Sequence, residues 1–173
     1  MVAAMVQNAT IAVNRLLSPN FGSGGTTLLI GYAREGKFYC ASVGDSRICL
    51  VREGKLIHLN RPHVLEDELI LHYVNGEISY DDARNYQKKG GLTSYLGMGA
   101  LKYVDFPLYH SSILKGDRFV LMSDGVFGTL SDEELVKVFS RKPKSISAAL
   151  NKEIEKKQKR FQDNYSAAVI VVE

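Results

Sequence analysis

The sequence predicts one α+β domain built in layers, on three observations. Short runs of β-branched and aromatic residues separated by glycine-containing turns argue for antiparallel strands. Helical periodicities stand before, between and after those runs. An apolar share of 45% over 173 residues is enough to bury a core without staples.

The elements follow in chain order. The opening segment MVAAMVQNATIAVNRLL puts Val2, Met5, Val6, Ala9, Ala12, Val13, Leu16 and Leu17 on one helical face, with no capping residue ahead of it. It lacks a basic leader and carries Gln7, Asn8 and Asn14, so it does not read as a signal peptide. SPNFGSGG, residues 18–25, is loop by composition. TTLLIGYA, KFYCASV, RICLV and KLIHL then alternate with the turns REG, GDS and REG. Connections of about three residues are too short for parallel crossovers, so these four strands are expected to form an antiparallel meander. Across residues 61–99 the pattern becomes polar: HVLEDELILHYV predicts a helix, and NGEISYDDARN a turn and a short second helix capped by Ser79. This stretch reads as a surface flap inserted between strand blocks. Strand signals return in LKYVDFPLYHS and in RFVLM. SDEELVKVFS predicts a helix with Ser131 as N-cap and Glu134 as its capping-box partner. KSISAALNKEIEKKQKRF predicts a long surface helix whose basic end is a solvated face, and SAAVIVV a closing strand.

Composition excludes several classes of function. With 22 Lys+Arg against 19 Asp+Glu, the net charge of +3 does not argue for nucleic acid. The longest apolar run near the end, residues 167–172, is far short of a membrane span. Two cysteines, Cys40 and Cys49, make no disulfide framework, which points to a reducing cytoplasm.

Familiar catalytic signatures also fail on spacing. A thiol phosphatase needs an arginine six places after its cysteine; Cys40 has Arg47 at the seventh and Cys49 has Lys55 at the sixth. GYAREGKF, residues 31–38, comes within one residue of a phosphate-binding loop, but Phe38 replaces the required hydroxyl and the segment is strand–turn–strand. Gly22, Gly24 and Gly25 lack the spacing of a dinucleotide fingerprint, and there is no G-x-S-x-G elbow. His58, His63, His72 and His110 show no metal-ligand spacing and read as surface or packed histidines.

Three aspartates share an unusual setting. Asp45 lies in a turn between two apolar strands, Asp124 directly follows an apolar strand and precedes Gly125, and Asp163 lies in the turn before the closing strand. Each projects from a sheet rim. Turn duty alone accounts for an isolated aspartate, but converging carboxylates repel one another unless a cation lies between them. Oxygen donors without His or Cys neighbours favour Mg²⁺ or Mn²⁺ over Zn²⁺.

The order of motifs carries a resemblance. GGTTLLIGY, SVGDSRICLV, LTSYLGMG, GDRFVLMSDGVFGTLSDEEL and DNYSAAVIVV together resemble the metal-dependent protein phosphatases of the PP2C or PPM type in their bacterial form, and NGEISYDDARN is similar to their flap helix. The resemblance implies an αββα sandwich of two antiparallel sheets flanked by helices. It implies two Mn²⁺ or Mg²⁺ ions that activate a water for in-line attack on phosphoserine or phosphothreonine of a protein substrate. A serine/threonine kinase is the expected counterpart. Carried over by position, Asp124 and Asp163 match metal ligands, and Asp45 matches a weaker third-metal position. Asn164, Gly125 and Ser123 would support the site around them.

The sequence also departs from the family. The N-terminal block with its Glu-Asp pair, DGxGG motif and phosphate-holding basic residue is not found in the 173 residues, so the resemblance implies an N-terminally truncated domain over residues 1–173. Gly128 stands where many members carry an acid, and Pro62 beside His63 replaces another. Two readings therefore compete: a serine/threonine phosphatase incomplete as given, and a non-catalytic PP2C-like binding or regulatory module. A generic α+β domain with aspartates in turns leaves the ordered motifs unexplained.

Overall fold

Period-two alternation decides the architecture. In the computed structural model, which describes residues 1–17, 24–106 and 111–173, the central strands are apolar on both faces, and each face meets a different layer. Strands β1 (Leu28–Arg34), β2 (Lys37–Val43), β3 (Arg47–Arg52), β4 (Lys55–His58), β5 (Ser111–Ser112), β6 (Arg118–Met122) and β7 (Ala167–Val171) form two sheets. One has the order β1-β2-β5, the other β4-β3-β6-β7, and every pairing is antiparallel.

The two sheets face each other across Phe38 and Cys40 of β2, Ile48 and Leu50 of β3, and Phe119 of β6. Phe38 and Phe119 stack between the sheets with ring centroids 3.9 Å apart. On the outer face of the first sheet, Ala41, Val43 and Ile30 pack against Val6 of helix α1 (Val2–Leu16). On the outer face of the second, Cys49, Val51, Val120 and Met122 share a core with Leu135, Val138 and Leu150. Those last three come from helices α5 (Asp132–Phe139) and α6 (Pro143–Lys156). The layer order is thus helix, sheet, sheet, helix, as the motifs implied. Between lie α2 (Leu65–Val74), α3 (Tyr80–Asn85) and the one-turn helix α4 (Asp124–Phe127). The expected Ser131–Glu134 capping box forms, and the expected Ser79 cap forms as a box with Asp82.

The meander is corrected at one turn. β2 and β3 do not pair; they belong to different sheets, and residues 44–46 carry the chain from one to the other. Gly44 has φ +101°, and a Cβ there would lie 2.5 Å from the Thr27 methyl, so only glycine fits this crossing. The strand expected in LKYVDFPLYHS is also shorter: the described part holds a single bridge, Asp105 to Ser42, and then β5. Residues 107–110 of that expectation, including His110, lie outside the described residues, as does most of the 18–25 loop.

An ion pair between a half-buried arginine and a buried aspartate ties the far end of the sandwich. Arg52 grips Asp117 with two bonds, Nε to Oδ1 at 2.7 Å and Nη2 to Oδ2 at 2.6 Å, and also donates to Ser112 O. Burial works to raise the Asp117 pKa, but the Arg52 fork and the Leu114 amide hold it below the usual carboxylate range. Cys40 and Cys49 are both free and buried, and burial raises their thiols to about 11 and about 12. Among the described residues, no helix is long and apolar enough to cross a membrane.

Because Phe119 is fully buried against Phe38, truncating it leaves a void that neither sheet can close. Phe119→Ala is expected to lower unfolding stability by about 3–5 kcal/mol in urea titrations, and a loss below 1 kcal/mol would contradict the inter-sheet stack.

Candidate active site

The sheet register brings the three aspartates to one end of the β3-β6-β7 sheet. Arg47 pairs with Met122 at the end of the β3–β6 ladder, so Asp45 and Asp124 each lie two residues beyond it, and the Asp124 carboxylate is near enough to act on Asp45. Met122 also pairs with Ala167 of β7, and Ser123 N–H donates to Ser166 O at 3.0 Å, which brings the Asp163 turn to the same rim.

The Asp45 turn is held on both sides. Gly44 N–H donates to His63 Nδ1 at 3.1 Å, and His63 N–H returns a bond to Gly44 O at 2.9 Å. Burial lowers the His63 pKa against the opposing pull of Asp105 and Asp67, which favours the neutral ring its acceptor role at Nδ1 requires. Thr27 Oγ1 and Ser46 Oγ are bonded at 2.9 Å. Asn60 Nδ2 donates to Ser42 Oγ and to Ser46 O, each at 2.9 Å, and its Oδ1 accepts from Ile48 N–H at 2.7 Å. Asn60 thus bonds to both sheets across the crossing.

Asp124 and Asp163 share a local device. Each accepts on Oδ1 from the next residue's N–H at 2.8 Å, Gly125 for one and Asn164 for the other. The second oxygen of each has no hydrogen-bond partner among the described residues. The two turns meet at Gly125, where a Cβ would lie 2.3 Å from Asn164 O. Asn164, expected to support the site, donates its main-chain N–H to Asp163 Oδ1, and its side chain makes no hydrogen bond among the described residues. Ser123 Oγ accepts from Ser166 N–H at 3.0 Å and so joins the ends of β6 and β7.

Electrostatics at this rim are unfavourable without a counter-charge. The Asp45 pKa is raised, first by burial and then by the Asp124 carboxylate, with its own amide and Arg47 opposing. Arg47 is committed elsewhere, its guanidinium lying 3.9 Å from the centroid of the Phe127 ring. Among the described residues, no group of three His, Cys, Asp or Glu side chains is close enough to hold a metal ion by itself. The donors nonetheless fit a hard divalent cation in kind: they are oxygens only, with coordination positions to spare for water or phosphate.

Sequence reasoning missed His63, Asn60 and Gln162 as parts of this site. His63 and Asn60 act on Gly44 and Ser46 across the sandwich, and nothing local in NRPH signals that. Gln162 has only its position beside Asp163 to mark it.

Comparison with known proteins gives the chain a family and structural relatives. The family model of protein phosphatase 2C matches residues 6–163. The serine/threonine phosphatase stp of Listeria monocytogenes is 31% identical over 118 residues, 68% of this chain and 45% of that protein. The chain therefore spans about half the length of the curated relatives it matches. In fold it is similar to the serine/threonine phosphatase of S. agalactiae, with a TM-score of 0.80 at 24% identity over 98% of this chain and 69% of that one. It is also similar to the catalytic domain of the serine/threonine protein phosphatase PstP, solved with two manganese ions, with a TM-score of 0.64 at 21% identity over 96% and 69%.

Two outcomes are expected at the rim. In Asp45→Asn, the penalty on an ionised, half-buried carboxylate disappears, so the metal-free chain should melt at a higher temperature at pH 7. That gain should vanish at about pH 3, where Asp45 is protonated in either state; a gain independent of pH would contradict the charge argument. In Gly125→Ala, the new methyl must displace Asn164, and calorimetric melting should show a loss of about 1–3 kcal/mol.

Proposed function

The chain belongs to the protein phosphatase 2C family, and from that membership we propose that it carries the metal-bearing part of a serine/threonine protein phosphatase acting on phosphoserine and phosphothreonine in proteins. The observation that carries the reading is the placement of three turn aspartates at one sheet rim, with the Asp124 carboxylate helping to raise the Asp45 pKa and one oxygen each of Asp124 and Asp163 left without a hydrogen-bond partner among the described residues. Asp124 and Asp163 would hold Mn²⁺ or Mg²⁺, with Asp45 serving a weaker further ion. The PstP catalytic domain with its two manganese ions supports the choice of metal. When bound, such ions supply Lewis-acid activation of water and neutralise charge on the phosphoryl oxygens.

The chain's own residues do the positioning. The bonds from Gly125 and Asn164 amides orient the Asp124 and Asp163 carboxylates. His63, Thr27 and Asn60 hold Gly44 and Ser46 on either side of Asp45, so the turn that carries it cannot move without breaking those bonds. Residues 61–99, with α2 and α3, stand beside this rim as the segment suited to meet a protein substrate. Its base is closed by the Val64–Leu92 bridge and by Thr93 N–H bonding to His63 O. A protein kinase is the counterpart such a substrate implies.

A second reading, a binding module without turnover, is favoured by the lack of any closed three-carboxylate group among the described residues. The two separate in one assay of Mn²⁺-dependent phosphate release from a phosphothreonine peptide. The polypeptide and any longer product of its reading frame should both be tried. Release is expected, with Asp124→Asn and Asp163→Asn each lowering it by about 100-fold or more. Tight Mn²⁺ uptake with no release from either form would favour the binding module.

A further inference from the structure

The two turns that carry Asp124 and Asp163 have little regular structure to fix the distance between them. Helix α4 is a single turn with no side-chain cap at Ser123, and such a helix has no cooperative stability of its own. The stretch from the end of α6 to β7 contains neither helix nor strand. The connection is made by side chains.

Gln162 makes most of it. Its Nε2 donates to Gly125 O and to Asp163 O, each at 3.1 Å, and its Oε1 accepts from Thr129 Oγ1, also at 3.1 Å. Gly125 O is a late carbonyl of a one-turn helix, the type of group a short helix leaves without an internal partner. Thr129 N–H, which a longer helix would direct at Gly125 O, bonds instead to Val126 O. Lys159 Nζ adds a bond to Gly128 O at the end of the same helix. Three side chains, from residues 129, 159 and 162, thus fasten the Asp163 turn to α4.

We infer that Gln162 is a positioning residue, which sets the spacing of the Asp124 and Asp163 carboxylates before a divalent cation arrives. The inference rests on the metal reading given above. Its physical basis is preorganisation: groups that hold ligands in place commonly change metal affinity by about 10–100-fold when removed. Gln162 contacts neither the metal nor the substrate in this role. Its amide spans Gly125 and Asp163 and keeps their two turns from drifting apart.

The test uses Gln162→Met, which keeps the length of the side chain and removes all three bonds, and Thr129→Val, which removes only the hydroxyl. Mn²⁺ is titrated by calorimetry into the unaltered polypeptide and both variants. Amide hydrogen exchange at Gly125 and Asn164 is followed without metal. Gln162→Met is expected to bind Mn²⁺ about 10–100-fold more weakly and to exchange faster at both amides, while β3 and β6 amides stay as protected as before. Thr129→Val should shift both readouts in the same direction by less. Equal Mn²⁺ affinity in the unaltered chain and Gln162→Met overturns the inference while leaving the metal reading intact. If the unaltered chain takes up no Mn²⁺, the metal reading fails, and unchanged exchange at Gly125 and Asn164 would overturn the clamp independently.

Discussion

The whole site depends on one crossing. At Gly44–Asp45–Ser46 the chain leaves the β1-β2-β5 sheet and enters the β4-β3-β6-β7 sheet, so β2 and β3 can each bury both faces. Had they paired as neighbours in one meander, Asp45 would stand at a hairpin tip, facing water. Instead, the register of β3 on β6 places it at the same rim as Asp124. Gly44 makes the crossing possible, since its positive φ and the Thr27 methyl leave no room for a side chain. His63, Thr27 and Asn60 then hold it with buried bonds, each of which would leave an unsatisfied polar group if broken.

Rigidity below the rim and repulsion at the rim belong together. The stacked Phe38 and Phe119, and at the opposite end Arg52, which grips Asp117 of its own sheet and donates to Ser112 O of the other, fix the sheets relative to one another. With its strand ends fixed, the sandwich cannot relieve carboxylate crowding by opening. A flexible rim would spread its aspartates and bind a cation only after paying an ordering cost; a rigid one keeps the electrostatic cost in the metal-free state, where a cation can remove it.

Much of the architecture was legible because its signals are local. The apolar run in RFVLM matches β6 residue for residue, and the Ser131/Glu134 and Ser79 caps follow from spacing along one segment. The ordered motifs located Asp45, Asp124 and Asp163 for the same reason: each lies at the end of a readable strand. What stayed hidden is non-local. Whether GDS closes a hairpin or crosses between sheets depends on the Thr27 methyl packed on Gly44, and no property of the turn itself reports that. His63 and Gln162 are ordinary loop residues until the fold brings Gly44 O and Gly125 O within their reach.

A second constellation shows why composition of a site matters less than where the fold puts it. Cys49 Sγ lies 3.5 Å from His58 Nδ1, and His58 Nε2 lies 3.6 Å from an Asp132 oxygen. By residue type this is the order of a thiol nucleophile, its base and an orienting acid. The environment removes that chemistry. Cys49 is fully buried within the core of β3, α5 and α6, and burial pushes its thiol up to about 12, so almost no thiolate forms at neutral pH. The same strand that buries Cys49 on its outer face begins two residues after Asp45, at the rim. Burial silences the sulfur, while the strand end leaves the carboxylate only half-buried at the rim. The phosphoryl chemistry proposed for this chain therefore belongs to the oxygen ligands and not to the cysteine.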